Sequence, residues 1–247
     1  MTHPMFDLSG RRALITGGSR GLGREMALAF ADAGADVIVS SRKAEACDAV
    51  VAEIRARGRR AEAMPAHAGR WDEMDALADR AWAAFGGIDL LVANAGMGPM
   101  MPSHEVSESL FDSVVSLNFK GPFRLIANIA QRMVAGEGGV VIATSSIAAM
   151  EPMPAVVPYA GAKAALNAIV AGMAVEYAPR VRINAIAAGP FLTDIAKAWS
   201  EEMRERADNA LGRPGRPEEI VGTALWLASP ASSFVTGAVI RCDGGRR

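Results

Sequence analysis

Cysteine and histidine are scarce in this chain of 247 residues, and both are scattered. Cys47 and Cys242 form no close-spaced motif, which excludes a disulfide framework and leads us to expect a reduced, cytoplasmic setting. His3, His67 and His104 lie far apart and make no recognisable metal set with the two cysteines, so no metal is expected. A formal net charge of -1 excludes the basic footprint of a nucleic-acid or membrane-surface protein. Long apolar runs are missing too. The longest, 164–174, falls short of the ~20 residues that span a bilayer. Residues 1–12 have no apolar stretch of the secretory kind, and no linker, repeat or low-complexity segment divides the chain. One domain over 1–247 is the expectation. What is abundant is apolar side chain: 51% of residues are hydrophobic, enough for a substantial core.

Short β-branched runs alternate with amphipathic helical stretches. Strands are predicted at 13–16, 37–40, 61–64, 88–92, 140–144, 181–186 and 238–241, and helices at 22–33, 44–57, 71–85, 107–134, 155–177 and 217–228. Strands apolar on both faces and separated by helices imply a parallel sheet covered on both sides. Right-handed crossovers then give an α/β, Rossmann-like, doubly wound fold of seven strands. Segment 191–217 breaks the alternation. It is polar and helical in character, with Glu201, Glu202, Arg204, Glu205 and Arg206. It belongs over the carboxyl ends of the strands, where such folds bind ligands, and is read as a substrate lid. An ordinary solvated helix pair is the alternative.

The first predicted strand runs into Thr16-Gly17-Gly18-Ser19-Arg20-Gly21-Leu22-Gly23, which opens a helix. Glycines there permit a tight turn and let backbone N–H groups approach a pyrophosphate at the helix N-terminus. A turn with no ligand is the plainer alternative. The end of the second strand reads Val37-Ile38-Val39-Ser40-Ser41-Arg42-Lys43. NAD-binding folds place an acid there for the ribose 2′-hydroxyl, and none is present. Asp36 precedes the strand and so sits at the opposite edge of the sheet. Arg20 and Arg42, with Ser41 donating, suit a 2′-phosphate, because the guanidinium fork matches phosphate oxygens. NADP is therefore expected over NAD, unless Arg42 merely begins a solvated helix.

Pro158 leads into Tyr159-Ala160-Gly161-Ala162-Lys163, a Tyr and a Lys one turn apart on a helix face. A phenol of pKa about 10 exchanges protons poorly at neutral pH, and a nearby ammonium favours phenolate. Taken alone, the pair occurs in many helices. Together with the glycine turn it resembles the short-chain dehydrogenases/reductases, over nearly the whole chain from Leu8 to Gly245. The family's Thr-Gly-x-x-x-Gly-x-Gly is matched by Thr16, Gly17, Gly21 and Gly23, and its Tyr-x-x-x-Lys by Tyr159 and Lys163. Its catalytic Ser, thirteen residues before the Tyr, selects Ser146 over Ser145. Its active-site Asn matches Asn118 of Leu117-Asn118-Phe119, and its nicotinamide loop matches Gly189-Pro190 followed by Thr193.

The resemblance implies an NADP(H)-dependent oxidoreductase that interconverts a ketone or aldehyde with an alcohol. Ser146 would hydrogen-bond the substrate oxygen and Tyr159 exchange a proton with it. Lys163 would hold the nicotinamide ribose and tune Tyr159, while Asn118 positions a water linking Lys163 to solvent. Three departures stand out. The family's Asn-Asn-Ala-Gly appears as Ala93-Asn94-Ala95-Gly96, losing one sheet-bracing Asn but keeping a backbone role near the adenine ribose. An acid near adenine is replaced by Ala66-His67-Ala68, where His67 either contacts the base or is a plain loop histidine. The Pro before Gly189 is Ala188.

Met97, Met100, Met101, Met150, Met153, Phe191, Leu192, Ile195 and Trp199 are the candidate substrate-pocket residues, favouring an apolar or bulky carbonyl; several are alternatively core fillers. A 3-oxoacyl-carrier-protein reductase is a second possibility. Arg180 matches one of that branch's two basic residues, but Glu137 stands where the other should be, and a like-charge contact with an acidic carrier is unfavourable. A non-catalytic NADP sensor on the same fold is a third. Family members are mostly homotetramers. The apolar stretches 123–134 and 164–175 suggest helix pairing between subunits, in a tetramer or a dimer.

Overall fold

The computed structural model describes residues 4–246. From the N-terminus the chain runs β1 (Arg12–Thr16), α1 (Gly21–Asp32), β2 (Asp36–Ser40), α2 (Ala44–Ala56), β3 (Ala61–Ala63), α3 (Trp71–Phe85) and β4 (Leu90–Ala93). It continues with α4 (Glu108–Val115), a π turn (Ser116–Lys120), α5 (Gly121–Ala135), β5 (Gly139–Ser146), α6 (Val157–Glu176) and β6 (Val181–Ala188). After the short α7 (Glu201–Glu205) come α8 (Val221–Ala228) and β7 (Val239–Cys242). The strands form one seven-stranded sheet in the order β3-β2-β1-β4-β5-β6-β7, and every neighbouring pair is parallel. This is the Rossmann-like architecture expected from the sequence.

Strand alternation feeds two separate cores. Ala13 and Ile15 of β1 and Val37 and Val39 of β2 point into a cluster with α1, α2 and α8. Leu14 and Ile38 point the other way, into a cluster with α3, α5 and α6. The helices meet the sheet through helical periodicity: α3 buries Met74, Leu77, Ala78, Ala81 and Phe85. At the amino edge, Asp89 accepts from the Arg12 backbone N–H and from its Nε and Nη2 at 2.7–2.9 Å, tying the starts of β1 and β4 together. Burial alone would raise the Asp89 pKa; Arg12 overcomes that and holds it below the usual carboxylate range.

Three expected boundaries shift for physical reasons. The long helix at 107–134 is interrupted by the π turn at Ser116–Lys120, and Ser107 serves as the cap of α4, accepting from Leu110 N–H. The helix expected from 155 begins at Val157, because Ala155 adopts φ 61°, a left-handed conformation that no helix continues. Asp36 is the first residue of β2 rather than a residue before it, yet it stays at the amino edge, bonded to Arg59 at 2.7 Å.

In this strand order the chain reverses direction across the sheet between β1 and β4, and folds of this type bind ligands outside the carboxyl ends at that point.

Candidate functional site

The carboxyl ends of β1, β2, β4, β5 and β6 gather the expected site residues. Gly17 follows β1 with φ 65°, and its backbone leaves no room for a side chain: an added Cβ would sit 2.8 Å from Asn94 Nδ2. Gly23 is tighter still, with an added Cβ 2.3 Å from the Gly17 carbonyl oxygen. Ser19 and Leu22 are half-buried in the same turn. Arg20 occupies the N-cap of α1 in extended conformation, and its side chain caps nothing. Among the described residues the first-turn N–H groups of Gly21, Leu22 and Gly23 therefore lack a side-chain acceptor, and no acid lies in that turn. A glycine cradle closing on an uncapped helix N-terminus fits a dinucleotide pyrophosphate.

Asn94 braces this cradle. Its Nδ2 donates to the Thr16 and Gly17 carbonyls at 3.1 and 3.3 Å, and its Oδ1 accepts from Thr144 Oγ1 at 3.1 Å. The Thr16 hydroxyl accepts from the N–H groups of Asn94 and Ala95. The sheet bracing that the sequence suggested was weakened at Ala93 is therefore carried by Asn94 with Thr16 and Thr144. At the end of β2, Ser41 Oγ lies 3.1 Å from buried Cys47 Sγ, and Arg42 is exposed with no ion pair among the described residues. Arg20, expected to converge with Arg42, instead pairs with Asp194 at 2.7 Å. Asp194 also holds Lys197 at 2.5 Å. Lys197 first, and then Arg20, keep its carboxyl below the usual range. His67 Nδ1 accepts from Gly69 N–H at 3.2 Å.

Ser146, Tyr159, Lys163 and Asn118 come together beside this cradle. Ser146 ends β5, is buried, accepts from Ala148 N–H at 3.2 Å and lies near enough to the Tyr159 phenol to lower its pKa. Ser145, the neighbour on the strand, is buried with no partner for its hydroxyl among the described residues. Tyr159 and Lys163 share a face of α6, with Lys163 Nζ 5.8 Å from the Tyr159 ring centroid. Gly98 lies against that ring, where an added Cβ would be 3.4 Å away. Burial pushes the Tyr159 pKa up and nearby Ser146 partly offsets it. The π turn carries Asn118 into the interior at 0% exposure. Asn118 Nδ2 donates to the Met97 and Val114 carbonyls at 2.8 and 2.9 Å, and Oδ1 accepts from Met97 N–H at 3.2 Å. Gly96 lies between Asn118 and Lys163, since an added Cβ there would sit 2.7 Å from Asn118 Oδ1 and 3.4 Å from Lys163 Nζ.

Lys163 is buried and donates to the Thr144 carbonyl at 2.7 Å, a partner invisible in sequence because it is backbone. Burial pushes its pKa from 10.5 down to about 7. Between those values the unfolded chain binds more protons than the folded one. Stability therefore rises with pH across that window, and the burial penalty is complete below pH ~7. Lys163→Met should accordingly stabilise the fold near pH ~6.5, by about 2 kcal/mol after the orphaned Thr144 carbonyl is counted, or about 4–8 °C in Tm. The gain should shrink towards pH ~9.5, where the wild-type lysine is largely neutral. Thermal melts at the two pH values test this; a lower Tm at the acid value, or a gain independent of pH, contradicts it.

Segment 191–217 is clipped at its ends. Gly215 N–H donates to the Pro190 carbonyl and Leu192 N–H to the Gly215 carbonyl, both at 2.8 Å. Phe191 is buried in the α1–α2–α8 core and packs on Gly215, which removes it from the candidate pocket set. Met100, Met150 and Leu192 are exposed, while Met97, Met101, Met153 and Trp199 are half-buried. Nothing is described for the Ile195 side chain. Gly189 is fixed by Asp243, whose Cα would lie 2.5 Å from an added Cβ, and Thr193 packs over Gly21 in the same sense, at 3.3 Å.

A parallel doubly wound sheet with a phosphate-fitting turn and a Ser-Tyr-Lys-Asn cluster at its switch point defines an NAD(P)-dependent oxidoreductase. The short chain dehydrogenase family pattern matches residues 11–204. The chain is 37% identical over 247 residues to 2-dehydro-3-deoxy-D-gluconate 5-dehydrogenase of Pseudoalteromonas atlantica, covering 97% of each protein. A 7α-hydroxysteroid dehydrogenase solved with NADH and 7-oxo glycochenodeoxycholic acid superposes with a TM-score of 0.92 at 35% identity, covering 99% of this chain and 98% of that one. A 3-oxoacyl (acyl-carrier-protein) reductase from Agrobacterium tumefaciens C58 with NADP bound gives 0.92 at 34% identity, covering 98% and 96%. The chain belongs to the short-chain dehydrogenase/reductase family. No helix among the described residues is long and apolar enough to cross a membrane.

Proposed function

We propose that the protein is NADP(H)-dependent and interconverts a ketone or aldehyde with an alcohol, on an apolar substrate. The observation that carries this reading is Lys163 Nζ 5.8 Å from the Tyr159 ring centroid, one turn along the same helix face, with Ser146 near enough to the phenol to lower its pKa. The bound cofactor supplies or takes up the hydride at the carbonyl carbon. Ser146 Oγ holds the substrate oxygen, and Tyr159 Oη gives that oxygen a proton in reduction and takes one in oxidation. Lys163 holds the ribose and favours the phenolate when protonated, and Asn118 positions water beside it. Gly17, Ser19, Gly21, Leu22 and Gly23 cradle the pyrophosphate. Arg20, Ser41 and Arg42 meet the 2′-phosphate. Asn94, Ala95 and Gly96 line the ribose side, and Gly189, Pro190 and Thr193 the nicotinamide side. The absence of any acid at Ser41-Arg42 supports NADP over NAD. The carrier-protein alternative gains no support from Arg180, whose guanidinium is turned onto the Gly136 carbonyl beside Glu137.

The test is NADPH depletion against an unbiased panel of ketones and aldehydes. Turnover of at least one apolar member is expected; tight NADPH binding with no turnover on any would favour a sensor. Residues 191–217 act in this reading as a lid hinged on the Phe191–Gly215 clip. Limited proteolysis should cut them in the free protein and spare them with NADP+ and substrate bound, and equal cutting rates would remove the lid. A homotetramer is proposed as well. The support is an apolar groove of about 570 Å³ lined by Phe111, Val115, Phe119, Val157 and Ala162, with Phe234 fully exposed elsewhere. The exposed apolar surface thus favours α4 and α6 more than α5. Sedimentation as a monomer would overturn it.

A further inference from the structure

Arg20 stands at the head of the cofactor cradle, yet its guanidinium is held by Asp194, the residue after Thr193 at the root of the 191–217 segment. Thr193 itself packs over Gly21. The Arg20–Asp194 pair therefore spans from the glycine turn to the loop expected on the nicotinamide side. Asp194 carries a second cation, Lys197, at 2.5 Å. Such an arrangement can exchange ions at little cost: if Arg20 leaves, Asp194 keeps Lys197.

We propose that Asp194 is a specificity-determining residue that competes with the cofactor 2′-phosphate for Arg20, with Lys197 setting the strength of that competition. The inference rests on the NADP reading above and adds a brake to it. A dinucleotide lacking the 2′-phosphate brings only the pyrophosphate, which the backbone N–H groups of the glycine turn already accommodate, so it leaves the pair closed. One bearing the phosphate must draw Arg20 away from Asp194. Both partners are partly exposed, at 68% and 35%, so the competition is worth a modest factor and weakens with salt.

The decisive probes are 2′,5′-ADP and 5′-AMP, which carry the adenosine end with and without the 2′-phosphate and have no nicotinamide to touch the lid. Dissociation constants are measured by calorimetry at fixed ionic strength for wild type, Asp194→Asn and Lys197→Gln. Asp194→Asn should tighten 2′,5′-ADP about three- to fivefold by freeing Arg20. Lys197→Gln should weaken it by about twofold, because Asp194 then relies on Arg20 alone. Neither variant should move 5′-AMP. Opposite signs from two neighbouring substitutions cannot come from simple loosening of the segment. If wild type prefers 2′,5′-ADP but the two variants leave the preference unchanged, or shift both ligands alike, the competition is overturned while the NADP reading stands. If wild type binds both ligands equally, the NADP reading falls and this inference falls with it.

Discussion

Tyr159→Phe is expected to lower turnover by ~10²–10⁴-fold while leaving NADPH binding largely intact. The ring supplies packing against Gly98, which Phe keeps, whereas the hydroxyl, beside Ser146, is the group proposed to supply the proton. Burial raises the phenol pKa in the free protein, so the hydroxyl is protonated at neutral pH and ready to act as an acid. Working as a base in the oxidative direction requires a protonated Lys163 close by, and Lys163 is itself pushed down to about 7. Steady-state rates and NADPH titrations of the variant decide the assignment; retention of more than about a tenth of the wild-type rate would sink it.

Cofactor choice should show an effect of similar size. NADPH is expected to exceed NADH by ~10–1,000-fold in kcat/KM, since charge-assisted hydrogen bonds to phosphate contribute roughly 1.5–3 kcal/mol each and 1.4 kcal/mol is a factor of ten. Arg42 is exposed and unengaged among the described residues, while Arg20 must first leave Asp194, so most of the gain should come from Arg42. Arg42→Leu should weaken NADPH and barely change NADH. Ser41→Asp should reverse the preference, because a carboxylate there repels the phosphate and accepts from a free 2′-hydroxyl. Parallel titrations at one ionic strength separate the alternatives. A wild type that prefers NADH, or an Arg42→Leu variant that weakens both cofactors equally, would show that Arg42 only begins a solvated helix.

What could be read in the sequence was whatever local spacing fixes. Tyr159 and Lys163 share a face because they are one helical turn apart, and strand alternation sends Leu14 and Ile15 to opposite cores. The glycine turn was legible because only glycine fits where Gly17 and Gly23 meet each other and Asn94. Features set by distant partners stayed hidden. The direction of Arg20 depends on Asp194, far along the chain, and no local pattern marks an acid as its partner. The π turn that buries Asn118 is a tertiary compromise within a stretch that reads as continuous helix. Phe191 looked like a pocket residue because it follows the nicotinamide loop, but its contact with Gly215 turns it into the core. The bracing by Asn94 was missed because its partners are backbone carbonyls and a threonine on another strand.

Ala155 holds its left-handed conformation while accepting a 2.7 Å hydrogen bond from Met101 N–H. That bond joins the loop after β4 to the loop before α6, although the two leave different strands. A displacement of either loop must break that bond or carry the other loop with it. On the proposed lid reading, adaptation to differently shaped molecules falls to the 191–217 segment, hung from the Phe191–Gly215 clip.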